Sequence, residues 1–334
     1  MSVDLTLIWT VIIGFGVMMY VLLDGFDLGI GILFPFVKNA NDKDIMMNTV
    51  APVWDGNETW LVLGGVGLLA AFPKAYATIL PALYFPLTMF LVGLILRGIA
   101  FEFRFKASKC QYIWDWSFAG GAILATFMQG CMLGRFVEGF PVIESQTLLP
   151  IFFWLTPFSI MTGIALLCGY ALLGATWLIM KTEGDLQTWC RRAGLRLMFV
   201  VLFFIGIVSL WTPLAHPLIA QRWFSWPNII YLSPVPIYTG LLAIFLFFSL
   251  RRESEYLPFI CSIGLFILSY AGLGISLWPY IVPPIMTIWE AAAPPESQLF
   301  TLTGVLFLLP VILVYTIHSY WVFRGKTRQD SGYH

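Results

Sequence analysis

Long apolar runs alternate with short polar connections along the whole chain, near residues 5–34, 54–72, 75–103, 113–134, 149–180, 195–214, 229–250, 257–282 and 298–323. A helix rises about 1.5 Å per residue and the hydrocarbon core of a bilayer is about 30 Å thick, so about 20 apolar residues complete one crossing. The pattern predicts an all-α, polytopic membrane helical bundle of about nine transmembrane helices, forming one integral membrane domain over residues 1–334. A transmembrane β-barrel would instead show segments of about ten residues with alternating polarity. The runs near 5–34 and 149–180 reach about 45 Å or more as straight helix and predict tilting, bending or projection from the bilayer. Gly25, Gly29 and Gly31 predict that a second backbone approaches the first run closely. The chain's first residues carry no Lys or Arg ahead of the apolar run and no small-residue cleavage site behind it, so they read as the start of a span and not as a cleaved signal.

Charge on the connections gives the bundle a direction. Of the 18 Lys and Arg residues, fourteen fall on one set of alternate connections and the C-terminal tail. Only Lys74, Arg135 and Arg222 fall on the opposite set, and Arg97 lies inside a run. The bias of basic residues towards the cytoplasm then predicts an outer N-terminus and a cytoplasmic C-terminus. Trp-Pro pairs such as Trp226-Pro227 and Trp278-Pro279 sit where interfacial aromatic anchors belong.

Composition sharpens the class. The chain is 59% hydrophobic, 17% aromatic and only 11% charged, against about 25% charged for a soluble domain. A formal net charge of zero and no basic stripe with interleaved aromatics exclude a nucleic-acid partner. The five cysteines have no C-x-x-C spacing and read as small apolar packing residues. No P-loop, G-x-G-x-x-G, G-x-S-x-G or H-E-x-x-H occurs. Of the three histidines, His216, His318 and His334, none lies in the first four runs, so two facing histidines cannot clasp a haem and no metal site is expected.

Against this background a few ionisable residues stand out. The first run carries Asp24 and Asp27, the second opens with Asp55 and Glu58, and the third carries Arg97 and, near its end, Glu102. A spacing of i, i+3 puts each acidic pair on one helix face. The alternation of spans brings Asp24, Asp27, Asp55, Glu58 and Arg97 to a common depth in the cytoplasmic half. Charges inside a membrane cost at least a few kcal/mol each and usually face a bundle interior or a wet path. Two readings follow. The group is a buried ion-pair cluster that fixes helix packing, with Arg97 neutralising one or two carboxylates. Or, since one guanidinium leaves at least two carboxylates without a basic partner, it is a path for protons or cations. The spacing leaves open which carboxylate would titrate.

Two motifs carry a family likeness. Asp24-Gly-Phe-Asp-Leu-Gly-Ile-Gly near the end of the first run and Ala51-Pro-Val-Trp-Asp-Gly-Asn-Glu-Thr-Trp at the head of the second closely resemble subunit II of the bacterial cytochrome bd-type quinol oxidases. Arg97-Gly-Ile-Ala-Phe-Glu-Phe-Arg, Trp114-Asp-Trp, the span count and the scarcity of histidine fit the same family, and the short outer loops resemble its cyanide-insensitive branch. The resemblance implies a multi-pass protein of the bacterial inner membrane, paired with a haem-bearing subunit I. That partner would hold haems b and d, oxidise quinol and reduce O2 to water. It further implies that this chain binds no haem, that some members hold a structural quinone here, and that some complexes add a small single-helix subunit.

By resemblance Asp55 is the motif aspartate of the proton route, with Asp24 and Asp27 matching the first-helix pair. Glu58 departs from members that have a neutral residue there. Arg97 would set the charge balance with Asn57 as a further supporting residue, and the indoles of Trp54 and Trp60 would wall the site or pack against the partner. A secondary transporter using the same carboxylates for H+ or Na+ coupling is the competing expectation. The absence of inverted repeats and of paired broken helices counts against it.

Overall fold

The computed structural model describes residues 4–107, 109–141 and 150–327. Among the described residues the helices are α1 (Leu5–Leu33), α2 (Ala40–Asn48), α3 (Trp54–Ala71), α4 (Pro73–Ala82), α5 (Tyr84–Phe103), α6 (Gln111–Glu138) and α7 (Pro157–Lys181). They continue with α8 (Gly184–Ala215), α9 (Pro217–Phe224), α10 (Asn228–Leu232), α11 (Pro234–Arg251), α12 (Leu257–Leu277), α13 (Ile288–Ala291) and α14 (Pro295–Val322). A two-stranded antiparallel hairpin, β1 (Tyr280–Val282) with β2 (Met286–Thr287), lies between α12 and α13. The protein is an all-α polytopic membrane protein, with eight helices among the described residues long and apolar enough to cross a bilayer. α3 coincides with the remaining predicted run but opens with Asp55, Asn57 and Glu58, which lower its apolar character.

The boundaries differ from expectation where local chemistry intervenes. The run near 75–103 is two helices that break at Leu83, with Pro81 in the last turn of the first. The run near 229–250 is likewise divided, at Ser233, ahead of Pro234. The run near 257–282 ends as helix at Leu277 and passes into β1. α8 begins at Gly184, eleven residues ahead of its apolar run, because the polar turns around Asp185, Gln187 and Arg191 continue the same helix. α7 starts at Pro157 behind a reciprocal cap between Thr156 and Ser159; the expected start at 149 lies outside the described residues. α2, with Asn39 capping its first turn, is too short and polar to register as an apolar run.

α7 forms the centre, its apolar window two-thirds buried inside the chain. It crosses α1 where Gly29 meets Gly174: a methyl group added at either position would collide with the opposing backbone. α5 and α6 meet in the same way at Gly93 and Gly121, where a methyl on Gly93 would stand 2.7 Å from Gly121 O. In lipid, where apolar side chains gain little from leaving one apolar medium for another, such close contact is a main source of helix association.

The connections gather at two ends. At one, Arg104 pairs with Asp44 (2.5 Å) and Asp115 (2.6 Å), and Lys43 also reaches Asp115 (2.9 Å). There too Lys181 donates to the carbonyls of Phe323 (2.6 Å) and Gly325 (3.1 Å), and Lys326 pairs with Glu255 (2.9 Å). The hydrogen bonds from Lys326 and Gln187 hold the half-buried Glu255 carboxyl below its ordinary pKa. At the other end Trp289 donates to Asp4 (3.1 Å), Lys74 donates to the Glu290 carbonyl (3.0 Å) and Ala293 N–H to the Ala71 carbonyl (2.8 Å).

Gly29→Ala is expected to destabilise the protein by about 1–3 kcal/mol through overpacking, lowering its thermal unfolding midpoint in detergent. Gly240→Ala, where nothing lies within 4 Å of an added methyl, should leave that midpoint unchanged or slightly raised.

Candidate functional site

One guanidinium organises the interior. Arg97, on α5, is wholly buried and donates through Nη1 to Oδ1 of Asp24 on α1 at 2.5 Å. Its Nη2 pairs with Oε1 of Glu58 on α3. The planar fork thus ties three helices together. Asp24 and Asp27 are both 0% exposed, whereas the Glu58 side chain keeps 26% of its surface accessible.

Asp27 has a different partner. Asn57 of α3 donates from Nδ2 to Asp27 Oδ2 at 2.7 Å, and from the same nitrogen to the Leu23 carbonyl at 3.3 Å. The amide oxygen of Asn57 accepts from the hydroxyl of Tyr320, on α14, at 2.9 Å. Oδ2 of Asp24 and Oδ1 of Asp27 are buried and engaged in no ordinary hydrogen bond among the described residues, the buried Tyr20 hydroxyl being a polar group that faces Asp24. Two carboxyl oxygens thus face the interior with acceptor capacity to spare, as a proton site requires. With Glu58, the site assembles three carboxylates around one basic group.

The indoles of the second motif frame this arrangement. Trp54 stacks on Phe101 (5.0 Å between ring centroids, 10° between planes). Trp60 is wholly buried and meets Phe15 edge-on at 5.7 Å. Both pack α3 to its neighbours and neither indole N–H is given to the carboxylates.

Asp55 stands apart from the convergence expected of five groups. It is exposed and makes no side-chain hydrogen bond or ion pair among the described residues. Helical geometry accounts for this. With about 100° per residue, Asp55 lies about 160° around α3 from the buried Asn57, and Glu58 only about 100°. Asp55 instead heads an exposed stripe that runs through Thr59, Val62, Val66 and Leu69. Exposure falls in order from Asp55, through the partly covered Glu58, to the buried Asp24. Glu102 also stays outside the cluster, in an exposed i, i+4 pair with Lys106 at 3.6 Å. Tyr320 was not among the expected residues. It lies near the end of an apolar run with no motif around it, and only the docking of α14 beside α3 brings it to Asn57.

The family model for cytochrome bd terminal oxidase subunit II matches residues 5–323. The chain belongs to that family. It is therefore part of a membrane-bound quinol:O2 oxidoreductase of several subunits. Subunit 2 of the cytochrome bd-I ubiquinol oxidase of Escherichia coli K12 is 26% identical, over 98% of this chain and 96% of that protein. Subunit 2 of the cytochrome bd ubiquinol oxidase of Bacillus subtilis is also 26% identical, over 96% of each. The bd oxidase of Geobacillus thermodenitrificans has the same fold, with a TM-score of 0.75 and 18% identity over 95% of this chain and 98% of the chain compared.

Such an oxidase needs haem, and the described histidines of this chain do not face one another. His216 lies between α8 and α9, His318 is exposed on α14 against Trp321, and the two lie towards opposite ends of the bundle. His334 lies outside the described residues. No group of three His, Cys, Asp or Glu side chains among the described residues is arranged to hold a metal ion.

Replacing Arg97 by Met is expected to cost about 3–5 kcal/mol, because Asp24 and Glu58 would be left without their cation. Arg97→Lys should recover part of this, since an ammonium supplies the charge without the fork. The thermal midpoint of the purified complex measures both.

Proposed function

We propose that this chain is the proton-supplying subunit of the oxidase, delivering protons from the cytoplasm to the oxygen-reducing centre of a haem-bearing partner in the bacterial inner membrane. The observation that carries this is the excess of carboxylates around Arg97, with free acceptor oxygens on the two that are fully buried. An ion-pair cluster serving packing alone would match its charges, because each buried charge without a partner is costly.

Orientation rests on the loops. The end where Arg104, Lys43, Lys181 and Lys326 gather is the one the positive-inside rule assigns to the cytoplasm. Counting α3 with the eight apolar helices gives nine crossings, an outer N-terminus and a cytoplasmic C-terminus. α3 begins at the basic end, since it follows α2, whose Asp44 binds Arg104, and its other end at Ala71 meets Ala293. The polar head of α3 thus opens on the cytoplasmic side.

The gradient of exposure gives the route its order. Asp55 collects a proton at the surface, Glu58 passes it inward, and Arg97 fixes the position of Glu58 and Asp24 while Asp24 and Asp27 form the buried store. An exposed carboxylate is unfavourable against lipid, which supports Asp55 standing at the cytoplasmic water boundary of α3, with the apolar stripe beyond it turned to the partner. Haems b and d are assigned to that partner, since the donor set here fits neither. The competing reading of an ion-coupled transporter has no observation in its favour.

Asp55→Asn and Glu58→Gln are each expected to lower quinol-driven O2 consumption by roughly tenfold, equivalent to about 1.4 kcal/mol on the barrier, in a complex whose haem spectrum is unchanged. Wild-type turnover by an assembled, haem-replete Asp55→Asn oxidase would take Asp55 off the route.

A further inference from the structure

The sequence gives Tyr320 no motif, yet it completes the shell of the buried acid. An amide side chain can present either its oxygen or its nitrogen to a neighbour, and its surroundings decide which. Asn57 stands between Asp27 and the Leu23 carbonyl, both acceptors, on one side and the Tyr320 hydroxyl on the other. The two acceptors commit the nitrogen to Asp27, and the Tyr320 hydroxyl, donating to Oδ1, anchors the amide in that orientation. Turned over, Oδ1 would confront two acceptor oxygens.

Tyr320 is itself held from two directions. Its ring lies edge-on to Phe26 (6.4 Å, 78°) and to Trp177 (6.0 Å, 84°). Three residues on, about 4.5 Å along the axis, α14 ends in a clamp. The Lys181 ammonium, mostly buried, caps the carbonyls of Phe323 and Gly325, and Thr327 N–H returns to the Lys181 carbonyl at 2.8 Å. A cation at a helix C-terminus is favoured by the helix dipole. α14 buries few side chains along its length, so this clamp is a main fixture of its inner end, beside the ring contacts of Tyr320 itself.

We propose that Tyr320 is a positioning residue of the oxidase: through the Asn57 amide it holds a hydrogen-bond donor on Asp27, with Lys181 fixing its height along the bundle. This rests on the reading of Asp27 as part of a proton store. The charged or titratable groups facing Asp27 are Asp24 on its own helix, Glu58 on α3, Arg97 on α5 and Tyr320 on α14. Tyr170 of α7 turns its hydroxyl to Gln129 of α6 at 3.2 Å. α12 brings the apolar ring of Phe259 against Phe26.

The test uses the whole oxidase carrying Tyr320→Phe, Lys181→Met or Asp27→Asn. The infrared band of the Asp27 carboxyl is the band in the pH-difference spectrum that Asp27→Asn removes. Tyr320→Phe is expected to shift the frequency and titration of that band, and to move the pH profile of O2 consumption upward by about half to one unit. A carboxylate whose amide donor is no longer anchored is held less firmly in its charged form and takes up a proton more readily, and the full worth of one hydrogen bond is the upper bound of the shift. Lys181→Met should move the band in the same direction with the hydroxyl intact, and it serves as the second probe should Tyr320→Phe fail to assemble. A loss of packing alone would lower the thermal midpoint and leave the band in place. An Asp27 band unmoved in the assembled variants overturns the proposal. A wild-type pH profile in Asp27→Asn overturns the proton-store reading instead, while the band still decides the role of Tyr320.

Discussion

A single buried cation has to satisfy carboxylates that belong to two other helices. Everything around Arg97 follows from that constraint. A guanidinium presents its donors in one plane, so α1 and α3 must bring Asp24 and Glu58 to that plane together, one to each terminal nitrogen. The pairing of α5 with α6 through Gly93 and Gly121 holds the stem of Arg97 in place while they do so. Asp27, one turn from Asp24 and beyond the fork, is served by a neutral amide instead. The difference between a charged partner for one aspartate and an amide for the other gives two nearly identical side chains separate chemical environments.

The same constraint explains the split within the second motif. Its residues occupy one short helical segment, yet Asn57 and Trp60 are buried, Glu58 is partly covered and Asp55 is exposed. A helix cannot turn all these positions inward at once. The motif therefore spans the wall of the bundle from inside to outside, and its conductive reading depends on that placement more than on the carboxylates alone.

Much of this was legible in the chain. Apolar runs long enough to span a bilayer located the helices, and the rarity of charge within them singled out Asp24, Asp27, Glu58 and Arg97, which the fold gathers. The breaks at Leu83 and Ser233 were hidden because turn-forming residues inside apolar runs leave the hydropathy unbroken. The exposed position of Asp55 was obscured because an i, i+3 spacing states that two residues share a face and not where the centre of that face lies. Tyr320 was invisible for another reason. Its meaning comes from a contact across 263 residues of sequence, and no local pattern records such a distance.

Rigidity is the remaining consequence. α7 carries Gly174, which presses backbone to backbone against Gly29 of α1, and one helix end later Lys181, which grips the end of α14. Asp27 stands two residues before Gly29, and Tyr320 three before Phe323. α7 thus acts as a ruler marked at both ends, and the gap between acid and phenol is read off it. A change of charge on Asp27 would meet helices pinned at both marks, and its relief would fall to the rotation of small groups such as an amide, a hydroxyl and a carboxyl.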